Sequence, residues 1–279
     1  MIKTKSILSI LFCLVFAVNS LFAQQAKVEE MKTGINFLET RVYSQEDDQK
    51  LLKLFEGLRV ADVSDGMDYV GLRDVGLVDP AIHALWKDVQ TMDHVIRGIA
   101  VTARYVPAQE KRYPDEQENF DAWAGNWYNS MSSEAWAELI RPGSMVVLDD
   151  VESEDCGSIG SFNILAWYKL GAVGVVTDAS SRDTDEIILQ RVPLYLRKTG
   201  RGIRPGRNVL ESVQRPVVIG GATVFPGDVV VADGDGVIVV PRKVAKTVAE
   251  YAHGVLKGDK EARRNLYESM DRDLDDSVK

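Results

Sequence analysis

The stretch that decides the fold is SMVVLDDVESEDCGSIGSFNILAWYKLGAVGVVTDASSRD, residues 144–183. Ser144–Asp149 is apolar enough for a buried strand, and Val173–Thr177 predicts a second one. Between them, Gly157–Leu170 places apolar residues on one helical face, and Gly171 is typical of a left-handed helix end. A strand, a helix and a strand in this order predict a parallel crossover unit of an α/β fold.

The sequence on either side predicts further elements around this unit. Val95–Tyr105 predicts a strand, and Val60 starts a short strand followed by a helix capped by Ser64 or Asp65. Arg215–Val240 alternates short apolar runs with glycine turns, which is typical of antiparallel strands. Val244–Glu268 predicts a charged helix that packs at the periphery. We therefore expect one α/β domain with mixed sheets.

Composition excludes several classes of protein. The chain has 279 residues, of which 45% are apolar and 27% charged, as in soluble globular proteins and unlike disordered, collagenous or polytopic membrane chains. The net charge of −9 argues against nucleic-acid binding, which needs a basic face. Two cysteines cannot form a disulfide framework.

The N-terminus predicts a secretory signal peptide. Lys3 and Lys5 precede an apolar run, Ile10–Val18, and Ala23 supplies a small residue for cleavage. The alternative is an uncleaved membrane anchor, although the apolar run is short for a bilayer span. Removal of residues 1–23 would leave 256 residues with a net charge of −11. We therefore expect a periplasmic or secreted protein with no membrane contact after cleavage.

The mature chain divides into an extension and one domain. Residues 24–50 are polar and predict a tail or a peripheral helix, and residues 51–279 form the predicted domain. Residues 107–141 begin with charged residues, continue with aromatic ones and hold three of the five tryptophans. This aromatic-rich insertion is a candidate lid or substrate platform, and packing of its tryptophans is the alternative interpretation.

Gly157–Asn163 carries the first sign of a binding site. The segment joins a strand to a helix, where glycines allow close approach and the free N–H groups of the first helical turn attract an anion. Its spacing matches neither a dinucleotide fingerprint nor a P-loop. Turn geometry alone is the competing explanation of these glycines.

Arg182 and Asp183 follow the next predicted strand. Loops at the carboxyl ends of neighbouring parallel strands lie side by side, so this pair should approach the glycine segment. A guanidinium can hold a carboxylate with two hydrogen bonds, and a carboxylate can bind a hard divalent cation. Together they suit a 2-oxo acid, with a metal acting as Lewis acid. An ordinary surface ion pair is the alternative.

These motifs resemble the metal-dependent 4-hydroxy-4-methyl-2-oxoglutarate (4-carboxy-4-hydroxy-2-oxoadipate) aldolases, which share their fold with the RraA-like regulators of ribonuclease E. The resemblance covers roughly 55–270 and rests on several segments in order. These are Val63–Asp68 (VSDGMD), Arg97–Ala100 (RGIA), Pro142-Gly143, Gly171–Asp183, Pro226–Asp228 (PGD) and Asp233–Pro241.

The resemblance implies an α/β/β/α sandwich that forms a homotrimer or a hexamer of two trimers, with active sites at subunit interfaces. By position, Arg182 would bind the substrate carboxylate, and Asp183 would hold Mg²⁺ or Mn²⁺. These two residues are the implied catalytic pair. The substrate-binding residues would be Arg182 with Gly160, Ser161, Phe162 and Asn163, backbone amides around Ser161 and Phe162 assisting.

The sequence departs from the aldolase pattern at Ser161. The aldolases carry an acid twenty-one residues before the arginine, where it orients water for proton transfer. Asp155, Glu154, Asp185 and Glu186 are the nearby candidates to replace it.

Three other features have an ordinary explanation beside a functional one. Cys156 is a candidate nucleophile or a bystander thiol, without a histidine near it in sequence. Lys169 is a candidate Schiff-base lysine or a solvated helix residue. Asp233–Gly236 (DGDG) resembles part of a calcium loop but lacks the remaining ligands, so it predicts a turn.

Two functions follow as hypotheses. The first is an exported lyase that uses a divalent metal to cleave a 2-oxo acid, either releasing pyruvate by retro-aldol cleavage or decarboxylating an oxaloacetate-type acid. The alternative is a non-catalytic RraA-like binding or regulatory protein that retains the anion pocket. The expected partners are the small 2-oxo acid and further copies of the chain.

Overall fold

A computed structural model of the full chain describes residues 43–109, 113–114, 119–150 and 155–279. The predicted signal peptide, most of the predicted extension and Glu154 lie outside the described residues. Within the described part of the chain, no helix combines the length and the apolarity needed to cross a membrane.

Helices occupy three regions of the described chain. Two come before the main sheet, three accompany the central crossover and its aromatic segment, and one ends the domain. They are α1 (Gln45–Lys53), α2 (Val60–Tyr69), α3 (Phe120–Ser130), α4 (Ser161–Leu170), α5 (Thr184–Gln190) and α6 (Ala245–Ser269), with a 3₁₀ helix at Ala135–Leu139.

The described strands form one large sheet and one small hairpin. The bounds are β1 (His83–Ala84), β2 (Ile96–Pro107), β3 (Ser144–Asp149), β4 (Gly157–Ile159), β5 (Ala172–Ser181), β6 (Leu194–Thr199), β7 (Asn208–Val213), β8 (Val217–Ile219), β9 (Ala222–Val224), β10 (Val229–Asp233) and β11 (Gly236–Val240). The large sheet runs in the order β1-β6-β5-β3-β2-β10-β11, with β4 added beside β5 and β7 beside β2.

The sheet is mixed, as the sequence predicts. Strands β2, β3, β5 and β6 are parallel neighbours, and β4 is parallel to β5. Strands β10, β7 and β1 pair with this parallel centre in antiparallel orientation, and β11 pairs with β10 in antiparallel orientation. The β3–α4–β5 segment is therefore the predicted parallel crossover, and Gly171 ends α4 with a φ of +115°.

Three apolar clusters define the layers. The inner cluster contains residues of β3, β5, β6, β10 and β11 together with the β8–β9 hairpin, so the two halves of the sheet enclose it. A second cluster packs α4, α5 and the 3₁₀ helix on the outside of β3, β5 and β6. A third packs α2 and α6 on the outside of β10 and β11. This order of layers is the expected α/β/β/α arrangement.

A short segment links the two edges of the sheet. The Val239 N–H donates to the Gly76 carbonyl at 2.8 Å, and the Val78 N–H donates to the Val237 carbonyl at 3.1 Å, both on β11. A few residues later, His83 and Ala84 pair with β6 at the opposite edge. The segment 76–84 therefore connects the two edges and brings the sheet close to closure.

Two boundaries differ from the sequence expectations. The expected short strand at Val60 is wrong, because Val60 already begins α2. Its N–H donates to the buried Asp233 carboxylate at 2.8 Å, and Asp62 accepts from the Arg59 N–H at 2.9 Å. These two carboxylates satisfy donors at the helix start one turn earlier than Ser64 or Asp65 would. Helix α1 begins at Gln45, inside the predicted extension, and continues to Lys53.

We expect Gly76→Ala to destabilise the domain far more than Gly71→Ala does. Both glycines have positive φ, +81° and +78°, so both variants carry the same backbone strain, about 1 kcal/mol. A Cβ at Gly76 would also lie 2.0 Å from the Val239 carbonyl oxygen, whereas a Cβ at Gly71 meets no atom within 4 Å. Urea unfolding should show about 2 kcal/mol or more between the two variants. Equal losses would contradict this account of the edge closure.

Candidate functional site

Close packing between β4 and the end of β5 fixes Arg182. The Arg182 N–H and the Ser181 hydroxyl both donate to the Ile159 carbonyl at 2.8 Å. Gly157 has no side chain to interfere, and a Cβ built there would lie 2.6 Å from the Cβ of Arg182. The strand end therefore holds the backbone of Arg182 in one place, while its guanidinium stays partly exposed.

Asp183 lies in an unusual backbone conformation that directs its carboxylate. Its φ and ψ are +55° and +37°, the left-handed region that few non-glycine residues adopt. It precedes α5 without capping that helix through its side chain. Instead, its Oδ2 accepts a hydrogen bond from the Ser161 N–H, the first amide of α4, at 3.2 Å. Strain of this kind is characteristic of functional sites.

The polar groups of the site converge beside Gly160. A Cβ built on Gly160 would lie 2.9 Å from Asp183 Oδ2, 3.6 Å from Asn163 Oδ1 and 3.8 Å from Arg182 Nε. Arg182 Nε and Asp183 Oδ2 are themselves 3.9 Å apart. The absence of a side chain at Gly160 thus leaves a small space bordered by two oxygens and a cationic nitrogen.

The structure brings together the residues that the sequence analysis selected. Gly160, Ser161, Asn163, Arg182 and Asp183 all contribute atoms to this space or to its border. None of the three atoms nearest to the Gly160 Cβ position belongs to Phe162, and 84% of this residue is exposed. Its amide lies in the first turn of α4, where helical N–H groups lack intrahelical acceptors.

Glu134 is a neighbour of the site that the sequence analysis missed. Its carboxylate accepts from Asn163 Nδ2 at 2.5 Å and from Trp167 Nε1 at 2.8 Å. It also pairs with the Nη2 of Arg204 at 3.0 Å, a residue that is only 1% exposed. Glu134 is 29 positions from Asn163, so sequence spacing gave no sign of the contact.

Two residues of the aromatic-rich segment, Trp136 and Tyr128, show how its described part relates to the site. Trp136 is fully buried, packs edge-on against Trp167 with ring centroids 4.8 Å apart, and donates to the Tyr105 hydroxyl. Burial raises the pKa of Tyr128, while the positive charges of Arg182 and Arg204 oppose that rise. Packing therefore accounts for Trp136, and Tyr128 lies within the electrostatic reach of Arg182.

The expected replacements for the missing acid do not approach the site through any described contact. Asp155 forms an ion pair with Arg201 at 2.6 Å, and its hydrogen bonds with Arg201 lower the pKa of its carboxyl. Asp185 and Glu186 lie in the first turn of α5, where both are exposed. Glu154 lies outside the described residues. Glu134 is the carboxylate that the described structure places against the site residue Asn163.

The other candidates have structural explanations. Cys156 is buried, and burial raises the pKa of its thiol to about 11, which disfavours the nucleophilic thiolate. Lys169 is exposed on α4. Asp233–Gly236 forms the turn between β10 and β11, where the Asp235 N–H donates to Asp233 Oδ1 at 2.8 Å. The predicted turn is thus confirmed.

The donor set beside Gly160 fits a hard divalent cation. Among the described residues, no three His, Cys, Asp or Glu side chains form a metal-binding group. Mg²⁺, however, commonly takes only one or two carboxylates and completes its shell with water and substrate oxygens. Asp183 Oδ2 and Asn163 Oδ1 are oxygen donors of this kind, on a space that a side chain at Gly160 would fill.

Residues 60–239 match the model of the RraA-like family, described as Aldolase/RraA. The chain belongs to this family. The resemblance inferred from the sequence motifs is therefore confirmed, as is the mixed α/β fold.

Two named relatives match parts of this RraA-like protein. One is "Protein DlpA" of Legionella pneumophila, 26% identical over 206 residues, 71% of this chain and 29% of that protein. The other, from Halalkalibacterium halodurans, is named "Putative 4-hydroxy-4-methyl-2-oxoglutarate aldolase". It is 30% identical over 132 residues, 46% of this chain and 61% of that protein. The chain thus spans less than two thirds of the length of each.

Solved structures share the fold. An uncharacterized protein from Pseudomonas syringae pv. tomato superposes with a TM-score of 0.62 and 26% identity, over 83% of this chain and 98% of that one. RraAS2 of Streptomyces coelicolor, described as an unusual member of the RNase ES inhibitor RraA protein family, gives 0.61 and 24% identity. It covers 77% of this chain and 96% of that one.

A second pair of carboxylates lies on neighbouring strands of the RraA-like domain, with Asp149 at the end of β3 and Asp178 within β5. Burial, reinforced by the neighbouring Asp149 charge, raises the pKa of Asp178 to about 7, and Arg197 opposes this rise. Burial likewise raises the pKa of Asp149, which ion-pairs with Arg104 at 3.4 Å. Because burial raises the pKa of both carboxyl groups, their titration affects the stability of the scaffold.

We expect Asp178→Asn to reduce the pH dependence of stability between about pH 5 and 8. A folded-state pKa above the ordinary value of 3.8 means that the protonated carboxyl stabilises the fold at low pH. That stability is lost as the pH rises through about 7. The uncharged amide has no such loss, so the variant should gain of order 2 kcal/mol over the wild type at about pH 8. Thermal unfolding at both pH values measures it.

Asp185→Asn, which removes a carboxylate from the first turn of α5, is the matched control and should follow the wild-type curve. If Asp178→Asn also follows the wild-type curve, Asp178 does not titrate in this range.

Proposed function

We propose that this RraA-like protein is a divalent-metal-dependent lyase that cleaves a carbon–carbon bond of a 2-oxo acid. The observation that carries the proposal is the convergence of Arg182, Asp183 and the first turn of α4 on the space beside Gly160. The guanidinium of Arg182 can bind a carboxylate, the Asp183 oxygen can bind a metal, and the amides of the first turn of α4 can donate hydrogen bonds. These three groups match those needed by a 2-oxo acid bound to a metal. The name of the Halalkalibacterium relative agrees with this reaction class.

Each residue has a defined role in the proposed reaction. Arg182 holds the substrate carboxylate, and the amides of Phe162 and Asn163 donate hydrogen bonds to its oxygens. Asp183 holds Mg²⁺ or Mn²⁺, directly or through water, and its bond to the Ser161 amide keeps it in position. The cation, when bound, supplies the Lewis-acid charge that stabilises an enolate.

The bond changes are those of a retro-aldol or a decarboxylation. In the retro-aldol case, the 4-hydroxyl gives its proton to water and C4 becomes the carbonyl carbon of the second product as the C3–C4 bond breaks. The electron pair of the broken bond forms the enolate of pyruvate. Protonation of C3 then gives pyruvate. In an oxaloacetate-type acid, the C3–C4 bond breaks to release CO₂ and leaves the same enolate. Both reactions use the same contacts with the carboxylate and the keto oxygen of the substrate.

Ser161 supports a second candidate function. Because no acid stands at this position, the chain lacks the group that handles protons in the aldolases it resembles. A binding or regulatory protein that keeps the anion pocket is therefore the alternative. It predicts that a 2-oxo acid binds and is recovered unchanged.

We expect the protein to release pyruvate from 4-hydroxy-4-methyl-2-oxoglutarate, or to decarboxylate oxaloacetate, only with Mg²⁺ or Mn²⁺. A coupled lactate dehydrogenase assay follows the pyruvate, and EDTA should abolish turnover until metal is restored. Arg182→Ala should lower kcat/KM about 100-fold, mainly through KM, because the substrate carboxylate loses a bidentate partner.

Arg191→Ala is the matched control, since the described polar contacts of this exposed arginine are with Asp88, Asp93 and Thr91, away from the site. It should keep full activity. Turnover that survives EDTA, or full activity in Arg182→Ala, would contradict the proposed lyase. Calorimetric binding of a 2-oxo acid without turnover would favour the alternative.

We also propose that the protein acts as a homotrimer, or as two trimers, and outside the cytoplasm. The outer faces of α4 and α5 support self-association, because they expose large apolar side chains beside the site. Phe162 is 84% and Leu189 83% exposed, and Leu165 and Ile188 are partly exposed. The predicted signal peptide supports export.

We expect Leu189→Lys to shift the assembly toward monomers, because a charge on this face opposes burial against a second copy. Size-exclusion chromatography with light scattering measures the mass. Leu266→Lys, an equivalent change at a 57% exposed position of α6, should leave the mass unchanged. If Leu189→Lys retains the wild-type mass, α5 is not part of an interface.

A further inference from the structure

The Glu134–Asn163 contact points to a ligand role for Asn163. We infer that the side-chain oxygen of Asn163 is a second oxygen ligand of the proposed metal site, directly or through water. Glu134, reaching in from the aromatic-rich segment, is the positioning residue that orients it. The inference deepens the proposed function and rests on it, since it concerns the same cation.

The position of the Asn163 oxygen is the first step. The point where a Gly160 Cβ would lie is 2.9 Å from Asp183 Oδ2 and 3.6 Å from Asn163 Oδ1. Since 2.9 Å and 3.6 Å add to 6.5 Å, the two oxygens are no farther apart than that. Both therefore border the space in which a cation held by Asp183 would lie.

The orientation of the Asn163 amide is the second step. An amide side chain can present either its oxygen or its NH₂ group to a site, and only its hydrogen-bond partners decide between them. Glu134 settles the choice, because a carboxylate accepts hydrogen bonds and Nδ2 lies 2.5 Å from its Oε1. With Nδ2 held by Glu134, Oδ1 faces the space beside Gly160.

The rigidity of Glu134 is the third step. Glu134 Oε2 accepts a hydrogen bond from Trp167 Nε1. Glu134 Oε1 lies 3.0 Å from the guanidinium of Arg204, a residue that is 1% exposed. Arg204 is itself held by the Ser158 carbonyl at 2.9 Å. Glu134 thus balances a buried charge while it orients Asn163. Groups that orient a ligand in this way commonly change metal affinity about 10- to 100-fold when they are removed.

Exchange of the two side chains tests the pair. In the double variant Glu134→Gln/Asn163→Asp, the amide introduced at position 134 can donate its NH₂ group to the carboxylate introduced at position 163. That carboxylate then presents its other oxygen toward Gly160. We therefore expect the double variant to bind Mn²⁺ at least as tightly as the wild type. Asn163→Ala, which lacks the oxygen, and Glu134→Ala, which removes the acceptor that orients the amide, should each bind about ten-fold more weakly.

The readout is Mn²⁺ affinity of the full chain, from the electron paramagnetic resonance signal of free Mn²⁺, with thermal unfolding to check the fold. Asn126→Ala, on α3, is the matched control and should match the wild type. A merely structural role for Glu134 would lower stability without a change in affinity, and the exchange would not restore binding.

The outcomes separate this inference from the proposed function. If the wild type binds Mn²⁺ and Asp183→Asn abolishes binding, while Asn163→Ala retains full affinity, the ligand role of Asn163 is wrong and the metal site stands. If the wild type binds no Mn²⁺, the proposed metal-dependent function fails with it. Should Asn163→Ala not fold, the exchange variant decides: weaker binding in a folded double variant would overturn the inference.

Discussion

The close approach of β4 to the end of β5 is the constraint on which the site depends. Only a glycine at position 157 lets the strand pass so near the Cβ of Arg182, and the Ile159 carbonyl then receives two hydrogen bonds from residues 181 and 182. With the strand end fixed, the left-handed turn at Asp183 directs its carboxylate back to α4 rather than forward to α5. The placement of the pocket's backbone is therefore a consequence of strand packing.

The curled sheet explains why the site lies where it does. The parallel strands β3 and β5 end at one rim, and the segment 76–84 joins the opposite edges so that the rim is held in shape. The half-buried carboxylates of Asp149 and Asp178 lie on these same two strands. Because burial favours their protonated forms, these two carboxyl groups contribute more to the stability of the scaffold on the acidic side of neutrality than above it.

The sequence predicted the features that are local in the chain. The β3–α4–β5 crossover, the end of α4 at Gly171 and the adjacency of Arg182 and Asp183 to the glycine segment follow from patterns within about forty residues. What it missed depends on distant contacts. The sequence pattern does not show that Asp233 satisfies the first amide of α2, 173 residues away, so the helix start was misplaced. Glu134 was missed for the same reason, because its partners lie on other segments of the chain.

Ser161 and Glu134 determine where negative charge lies around the pocket. A carboxylate at position 161 would place a second negative charge beside Asp183, whose oxygen already accepts from that residue's amide. With serine there, the carboxylate that contacts Asn163 is that of Glu134, and buried Arg204 balances its charge. Asn163 then links the two, donating to Glu134 and presenting its neutral oxygen to the site. A neutral oxygen binds a cation less tightly than a carboxylate does, and it leaves more of the cation's positive charge for the substrate. Serine at position 161 therefore favours a ligand that brings its own negative oxygens.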